Sequence, residues 1–154
     1  MAIALDEARA AGQRGEVPVG AVLVDSGTGD ILARAGNRTE ELFDPTAHAE
    51  ILAIRAGTAQ RREARLPHCD LYVTLEPCAM CATAISFARI RRLFYGAPDP
   101  KGGGVEHGAR VFTQPTCHHR PEIYSGIAES DAVRLLRDFF LERRNAATSK
   151  GKDR

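Results

Sequence analysis

The chain has 154 residues, 44% apolar and 27% charged, and its 21 basic and 20 acidic residues leave a net charge of +1. No stretch approaches the run of about 18 apolar residues that spans a membrane, and the charge balance argues against a sequence-blind nucleic-acid binder, which needs many phosphate contacts. One domain over residues 1–147, long enough to bury roughly 70% of its unfolded surface, is expected, with a disordered polar tail at 148–154. Four cysteines, two of them in a CxxC, fit a reducing cytoplasm better than a disulfide framework. The N-terminus carries Asp6 and Glu7 among its apolar residues and lacks the layout of a secretory signal, so a cytoplasmic location is the expectation.

Taken in order, Ile3 to Gln13 places Ile3, Ala4, Ala8 and Ala11 on one face and is followed by Gly15, which predicts a short first helix. The apolar run Val17 to Val24 reads as a strand covered on both faces. Ser26-Gly27-Thr28-Gly29 turns it into a hairpin with Ile31 to Ala35. Asp44-Pro45-Thr46 signals a helix start, with Asp44 or Thr46 as cap and the helix running from about Ala47 to Arg62, weakened or ended early at Gly57. Leu71 to Leu75 is the next strand. A helix carrying Cys78 and Cys81 in its first turn follows Pro77 and runs to Ala88, and Leu93 to Gly96 is a further strand. Ala97 to Thr116 shows no periodicity; a segment of that length is either functional or hides a short element. A helix from Ser130 to Arg144, with Val133, Leu136, Phe139 and Phe140 on one face, closes the domain. The alternation predicts an α/β fold, a three-layer αβα sandwich around a mixed central sheet, with the two cysteine- and histidine-bearing helices joining parallel strands.

Chemistry concentrates in His48-Ala49-Glu50 and Pro77-Cys78-Ala79-Met80-Cys81. One imidazole and two thiolates form a neutral three-ligand set for Zn²⁺ that leaves a fourth position open, as catalytic zinc sites do. His48 and Glu50, two apart, diverge in a helix interior, so they can converge on a metal only from the first turn. Two helix N-termini facing one metal would favour thiolate over thiol. Glu50 is placed to take a proton from water and return it to a ring nitrogen and a leaving amine. A capping-box role for Glu50 fails, because Ala47 stands where a Ser or Thr is required. The bland alternatives for the constellation are a structural zinc or core cysteines. Cys117-His118-His119 lacks a spaced partner for a second metal site, and Cys69, His68 and Met80 read as packing or surface residues.

H-x-E combined with P-C-x-x-C is the signature of zinc nucleobase deaminases. Over nearly its whole length the chain resembles the bacterial tRNA-specific adenosine deaminases of the cytidine/deoxycytidylate deaminase superfamily. The likeness rests on Glu16-Val-Pro-Val-Gly-Ala-Val-Leu-Val24, Asn37, Asp44-Pro-Thr-Ala-His-Ala-Glu50, Leu71-Tyr-Val-Thr-Leu-Glu-Pro-Cys-Ala-Met-Cys81 and Gly96-Ala-Pro-Asp-Pro-Lys-Gly-Gly103, and continues at His119-Arg120 and Gly126-Ile127. The resemblance implies a cytidine-deaminase-like fold and hydrolysis of adenosine to inosine at wobble position 34 of a tRNA anticodon, by a homodimer with one zinc per subunit. It implies His48, Cys78 and Cys81 as zinc ligands and Glu50 as the proton shuttle. Asn37 would hydrogen-bond the flipped base, for which an amide offers both donor and acceptor, and Asp99 with Lys101 would contact the RNA beside it. By its sequence neighbours alone, Asn37 reads as a turn residue after a strand. The loop after Lys101, Gly-Gly-Gly-Val-Glu-His, departs from the small-residue and serine pattern of the family, and the first helix is shorter than in many members. Two rivals stand beside this reading: a deaminase of a free base or nucleoside such as guanine or cytosine, and a non-catalytic zinc-stabilised RNA-binding module.

Overall fold

The computed structural model describes residues 1–150. Helix α1 (Ala2–Gln13) leads to strands β1 (Gly20–Asp25) and β2 (Ile31–Gly36), then α2 (Ala49–Arg61), β3 (Cys69–Leu75), α3 (Ala79–Phe87), β4 (Arg92–Ala97), β5 (Glu122–Tyr124) and α4 (Glu129–Lys150). The strands form one mixed sheet in the order β2-β1-β3-β4-β5. Strand β1 is antiparallel to β2 and β3, whereas β3, β4 and β5 run parallel. Helices cover both faces, which gives the αβα sandwich that the alternation of elements predicts.

Strands buried on both faces need apolar residues at consecutive positions, and β1 and β3 have them. Leu23, Leu71, Val73, Leu93 and Tyr95 pack against Ala53 of α2 and Ala82 and Ile85 of α3. Each such aliphatic side chain contributes about 1.5–3 kcal/mol on burial. On the other face, Leu5, Ala97 and Ala132 form a smaller cluster under α1 and α4. Helix α1 lies almost on the sheet, and glycine makes this approach feasible: a Cβ on Gly20 would stand 1.9 Å from the Ala4 carbonyl oxygen. Gly57 does not end α2; it lets that helix press on β1, where a Cβ would meet Leu23 Cδ2 at 2.2 Å.

Several boundaries differ from the pattern in the sequence, each for a local reason. Strand β1 starts at Gly20 rather than Val17, because Val17–Val19 makes a tight turn in which the Val19 N–H donates to the Val17 carbonyl at 2.8 Å. Helix α2 begins at Ala49, two residues late. Asp44 Oδ1 accepts from the Thr46 N–H and hydroxyl (2.8 and 2.7 Å), which curls the chain before the helix and leaves His48 as the N-cap. Cys78 is likewise the N-cap of α3 rather than a member of its first turn. Only α3 joins neighbouring parallel strands; α2 passes over β1 to link β2 with β3. The segment between β4 and β5 contains one short 3-10 turn, Val111–Thr113. Strand β5, three residues long, is too short to show periodicity. It is held through the cross-strand neighbours Tyr72, Phe94 and Tyr124, whose rings stack with centroids 4.5 and 4.9 Å apart. Helix α4 continues to Lys150, into the stretch expected as a polar tail; residues 151–154 lie outside the described residues. Among the described residues no helix is long and apolar enough to cross a membrane.

Helix α2 ends on Arg62 in the left-handed region (φ 56°), where its N–H caps the carbonyls of Ala59 and Thr58. Only glycine adopts that conformation without steric cost. Arg62→Gly should raise the urea midpoint by the equivalent of about 0.5 kcal/mol; a lower midpoint would show that the arginine side chain outweighs the backbone penalty.

Candidate active site

Two helix starts meet at one point. His48 caps α2 and Cys78 caps α3, both with extended backbone, and neither side chain folds back on its own helix. Capping residues that spend nothing on their helix are free to turn toward each other. His48 Nδ1 lies 3.6 Å from Cys78 Sγ and 3.5 Å from Cys81 Sγ, and the three atoms fall within 4.8 Å of one another. Tetrahedral zinc, with bonds of about 2.0–2.1 Å to nitrogen and 2.3 Å to sulfur, requires an N···S separation of about 3.5 Å. Both N···S separations in the cluster meet that requirement. Among the described residues it is the one group of three potential ligands so placed.

Protonation in the cluster follows from proximity. The Cys81 thiol hydrogen-bonds to Cys78, and this, with His48 alongside, drops Cys78 to about 4. The same hydrogen bond, followed by burial, pushes Cys81 up. His48 is raised, chiefly by its hydrogen bond to Cys78. A dication at this point would displace the proton that the two sulfurs share, because the thiolate is the ligand form.

Glu50 occupies the first turn of α2 and is 4% exposed. Burial raises its carboxyl to about 7, opposed by its own backbone N–H and by His48. A carboxyl poised near neutrality is suited to both accepting and returning a proton. It also lies within hydrogen-bond reach of Cys81, so the carboxyl stands directly beside a ligand atom.

Asn37, read locally as a turn residue, is 8% exposed and accepts the Ala49 N–H on Oδ1 at 2.9 Å. It thus performs the capping that His48 does not, and its amide NH₂ remains available as a donor pair. Asp99 is half-buried, and its Oδ1 receives the N–H groups of Lys101 and Gly102 (3.2 and 2.9 Å), so its carboxylate shapes the turn it sits in. Lys101 is exposed and lines a cleft of about 630 Å³ with Leu75, Asp99, Arg137, Phe140 and Arg144. Cys117 and His119 are spent on packing: the Cys117 thiol donates to the His119 carbonyl, and His119 Nε2 meets the Ile90 carbonyl at 2.7 Å.

Two buried glutamates that stand in the motif stretches without an assigned role hold the loops that flank the site. Glu16, 1% exposed, accepts from the Thr39 hydroxyl and the N–H groups of Glu40 and Glu41 and fastens the loop after Asn37. Glu76, 2% exposed, does the same for the segment that carries Asp99 and Lys101. Burial opposes ionisation of Glu76, but the Asp99 N–H and then the His107 ring and N–H hold its carboxyl below the usual range. The available signal was an ionisable residue between Leu75 and Pro77, where the strand pattern calls for an apolar one.

A sandwich of this topology with an H-x-E/C-x-x-C centre defines a zinc-binding deaminase domain. Residues 1–97 match the cytidine and deoxycytidylate deaminase zinc-binding region, and the chain belongs to that family. Within it, a tRNA-specific adenosine deaminase of Agrobacterium fabrum is 64% identical over 144 residues, covering 94% of this chain and 93% of the relative. A tRNA-specific adenosine deaminase of Rickettsia bellii is 49% identical, covering 89% and 94%. A structure solved in studies of A-to-I editing by tRNA:A34 deaminases at the wobble position superposes with a TM-score of 0.86 at 64% identity, over 88% of this chain and 97% of that one.

Proposed function

We propose that this protein is a hydrolase that converts adenosine to inosine at wobble position 34 of a tRNA anticodon. A buried carboxyl, Glu50, set beside a three-ligand cluster that leaves a fourth position open, carries the chemistry. Likeness to tRNA-specific adenosine deaminases across 94% of the chain supports the substrate. In this reading His48, Cys78 and Cys81 hold one zinc per subunit, the protein works as a homodimer, and its place is the cytoplasm.

Zinc held there would supply the Lewis acidity that makes water a nucleophile near neutral pH. The protein's own groups do the rest. Glu50 accepts one proton of the attacking water on its carboxylate and passes it to the purine ring nitrogen; it then takes the second, as the new C6 hydroxyl becomes the carbonyl, and gives it to the amine, which leaves as ammonia when the C6–N bond breaks. Asn37, its oxygen committed to Ala49, presents amide N–H groups to an acceptor on the base edge. A base extruded from the anticodon loop leaves its neighbours unstacked, and the cleft bearing Lys101, Arg137, Arg144 and Phe140 offers cations and an aromatic ring to such a strand.

Inosine formation on a synthetic anticodon stem-loop with adenosine at the wobble position tests this, with free adenosine, cytidine and guanine beside it. Turnover on the stem-loop alone supports the reading; turnover on a free base or nucleoside alone would keep the chemistry and sink the substrate. Lys101→Ala should raise KM for the stem-loop roughly fivefold to tenfold with kcat unchanged, and lower the salt dependence of binding by about 0.7 in the log–log slope, the share of one single-strand phosphate. An unchanged slope would remove Lys101 from the phosphate contacts.

A further inference from the structure

The segment from Pro98 to Arg110 has no regular secondary structure, yet Gly103, Gly104 and Val105 within it are buried. Buried irregular backbone must find partners for its N–H groups. Here four of the segment's N–H groups converge on one side chain. Glu76 Oε1 accepts from the N–H groups of Val105 (3.3 Å), Glu106 (2.9 Å) and His107 (3.0 Å). Its Oε2 accepts from the Asp99 N–H at 2.9 Å and meets His107 Nδ1 at 2.8 Å. The chain therefore winds around a carboxylate of its own, as an anion-binding nest winds around a phosphate.

The nest has two arms with different consequences. The arm at residues 105–107 meets the start of α3 through its neighbour Gly104, whose N–H donates to the Pro77 carbonyl and where a Cβ would stand 2.5 Å from the Ala79 nitrogen. The other arm is the Asp99 N–H alone. Asp99 in turn receives the N–H groups of Lys101 and Gly102 on its side chain and that of Gly103 on its carbonyl, so the side-chain tie between the turn that carries Lys101 and the rest of the fold is the Asp99 N–H on Glu76.

We propose that Glu76 is a positioning residue for the RNA substrate, its carboxylate holding the Asp99–Lys101 turn in the shape that receives nucleotides beside the flipped base. This rests on the tRNA reading above. It assigns Glu76 no contact with substrate or metal; the residue acts through the Asp99 N–H.

Glu76→Gln separates the arms. An amide keeps one acceptor oxygen, which satisfies the three N–H groups of residues 105–107, and places its NH₂ where Oε2 was. His107 Nδ1 can accept from that NH₂ by changing tautomer, but the Asp99 N–H cannot. In Glu76→Gln the Asp99 amide should exchange with solvent at least about tenfold faster, while those of Glu106 and His107 stay protected. KM for the anticodon stem-loop should rise about tenfold, with kcat within about threefold of wild type and zinc content unchanged. His107→Ala, which removes only the ring, should leave exchange at Asp99 slow and change KM less than about threefold.

Equal falls in kcat and zinc content would make Glu76 a structural residue and overturn the proposal, as would an unchanged KM with Asp99 released. If Glu76→Gln does not fold, exchange in the wild type and KM in His107→Ala decide together: fast exchange at Asp99, Glu106 and His107 overturns the nest, and slow exchange with a KM insensitive to loss of the ring upholds it. A wild-type enzyme silent on RNA sinks the functional reading instead, and exchange at Asp99 then tells whether Glu76 orders the turn.

Discussion

Glu50→Gln should lower kcat on the anticodon stem-loop by about a thousandfold while zinc stays bound and KM moves little. The glutamine is isosteric and keeps an oxygen at this position, but it cannot collect the protons of water and return one to the base and the other to the leaving amine. Binding of RNA and metal draws on other groups, so a change confined to turnover marks a proton shuttle. A parallel rise in KM, or loss of zinc, would instead place Glu50 in the binding of one or the other. The zinc-free protein offers a second readout. Burial raises the Glu50 carboxyl from 4.5 to about 7, so the folded state holds its proton more tightly than the unfolded chain. The stability that this proton contributes is complete below about 4.5 and is lost as pH rises through about 7. Glutamine does not ionise. The metal-free variant should therefore gain thermal stability over the metal-free wild type between those pH values and keep that gain above them; a pH-independent difference would mean that this carboxyl is hydrated.

Cys81→Ser should cost zinc affinity more than about a hundredfold, the upper range for groups that merely support a ligand, and should leave no measurable turnover. Cys81 is fully buried, and a serine hydroxyl stays protonated at neutral pH, so the variant offers a weak neutral donor where the site needs a thiolate. Removing metal from the wild type with a chelator should produce the same inactive state, restored by zinc. The fold should survive both treatments, because the sheet and its helices are held by the Leu23, Leu71, Val73, Ile85 and Leu93 cluster rather than by the metal. Far-ultraviolet circular dichroism near that of the wild type, with metal absent by mass spectrometry, is the expected combination. A variant that keeps zinc and activity would show that His48 and Cys78 suffice, and one that unfolds would make the zinc structural.

Much of the fold was legible in the chain because its signals are local. A continuous apolar run marks β1 as a strand covered on both faces, a β-rich stretch marks β3, and the four helices carry their own signals. The chemistry of the site was equally local: two short motifs fix which residues can ligate a metal and which carboxyl lies beside them. How they meet was not local. His48 and Cys78 became N-caps because the Asp44–Thr46 turn and the exit from β3 deliver the chain to the helix starts in extended form, and no spacing rule reports that. Strand β5 depended on the Tyr72–Phe94 stack on the face of the sheet, which Tyr124 extends.

The sequence by itself determined the composition of the centre, a histidine, two cysteines and a glutamate, because side-chain chemistry does not depend on context. Only the tertiary structure decided what holds that centre's surroundings in place. Glu16 and Glu76 look like ordinary charged residues in the chain, and become anchors once folding removes them from water and leaves loop N–H groups as their remaining partners. A buried carboxylate must be satisfied, and irregular loops have donors to spare; that shared need is met only in three dimensions.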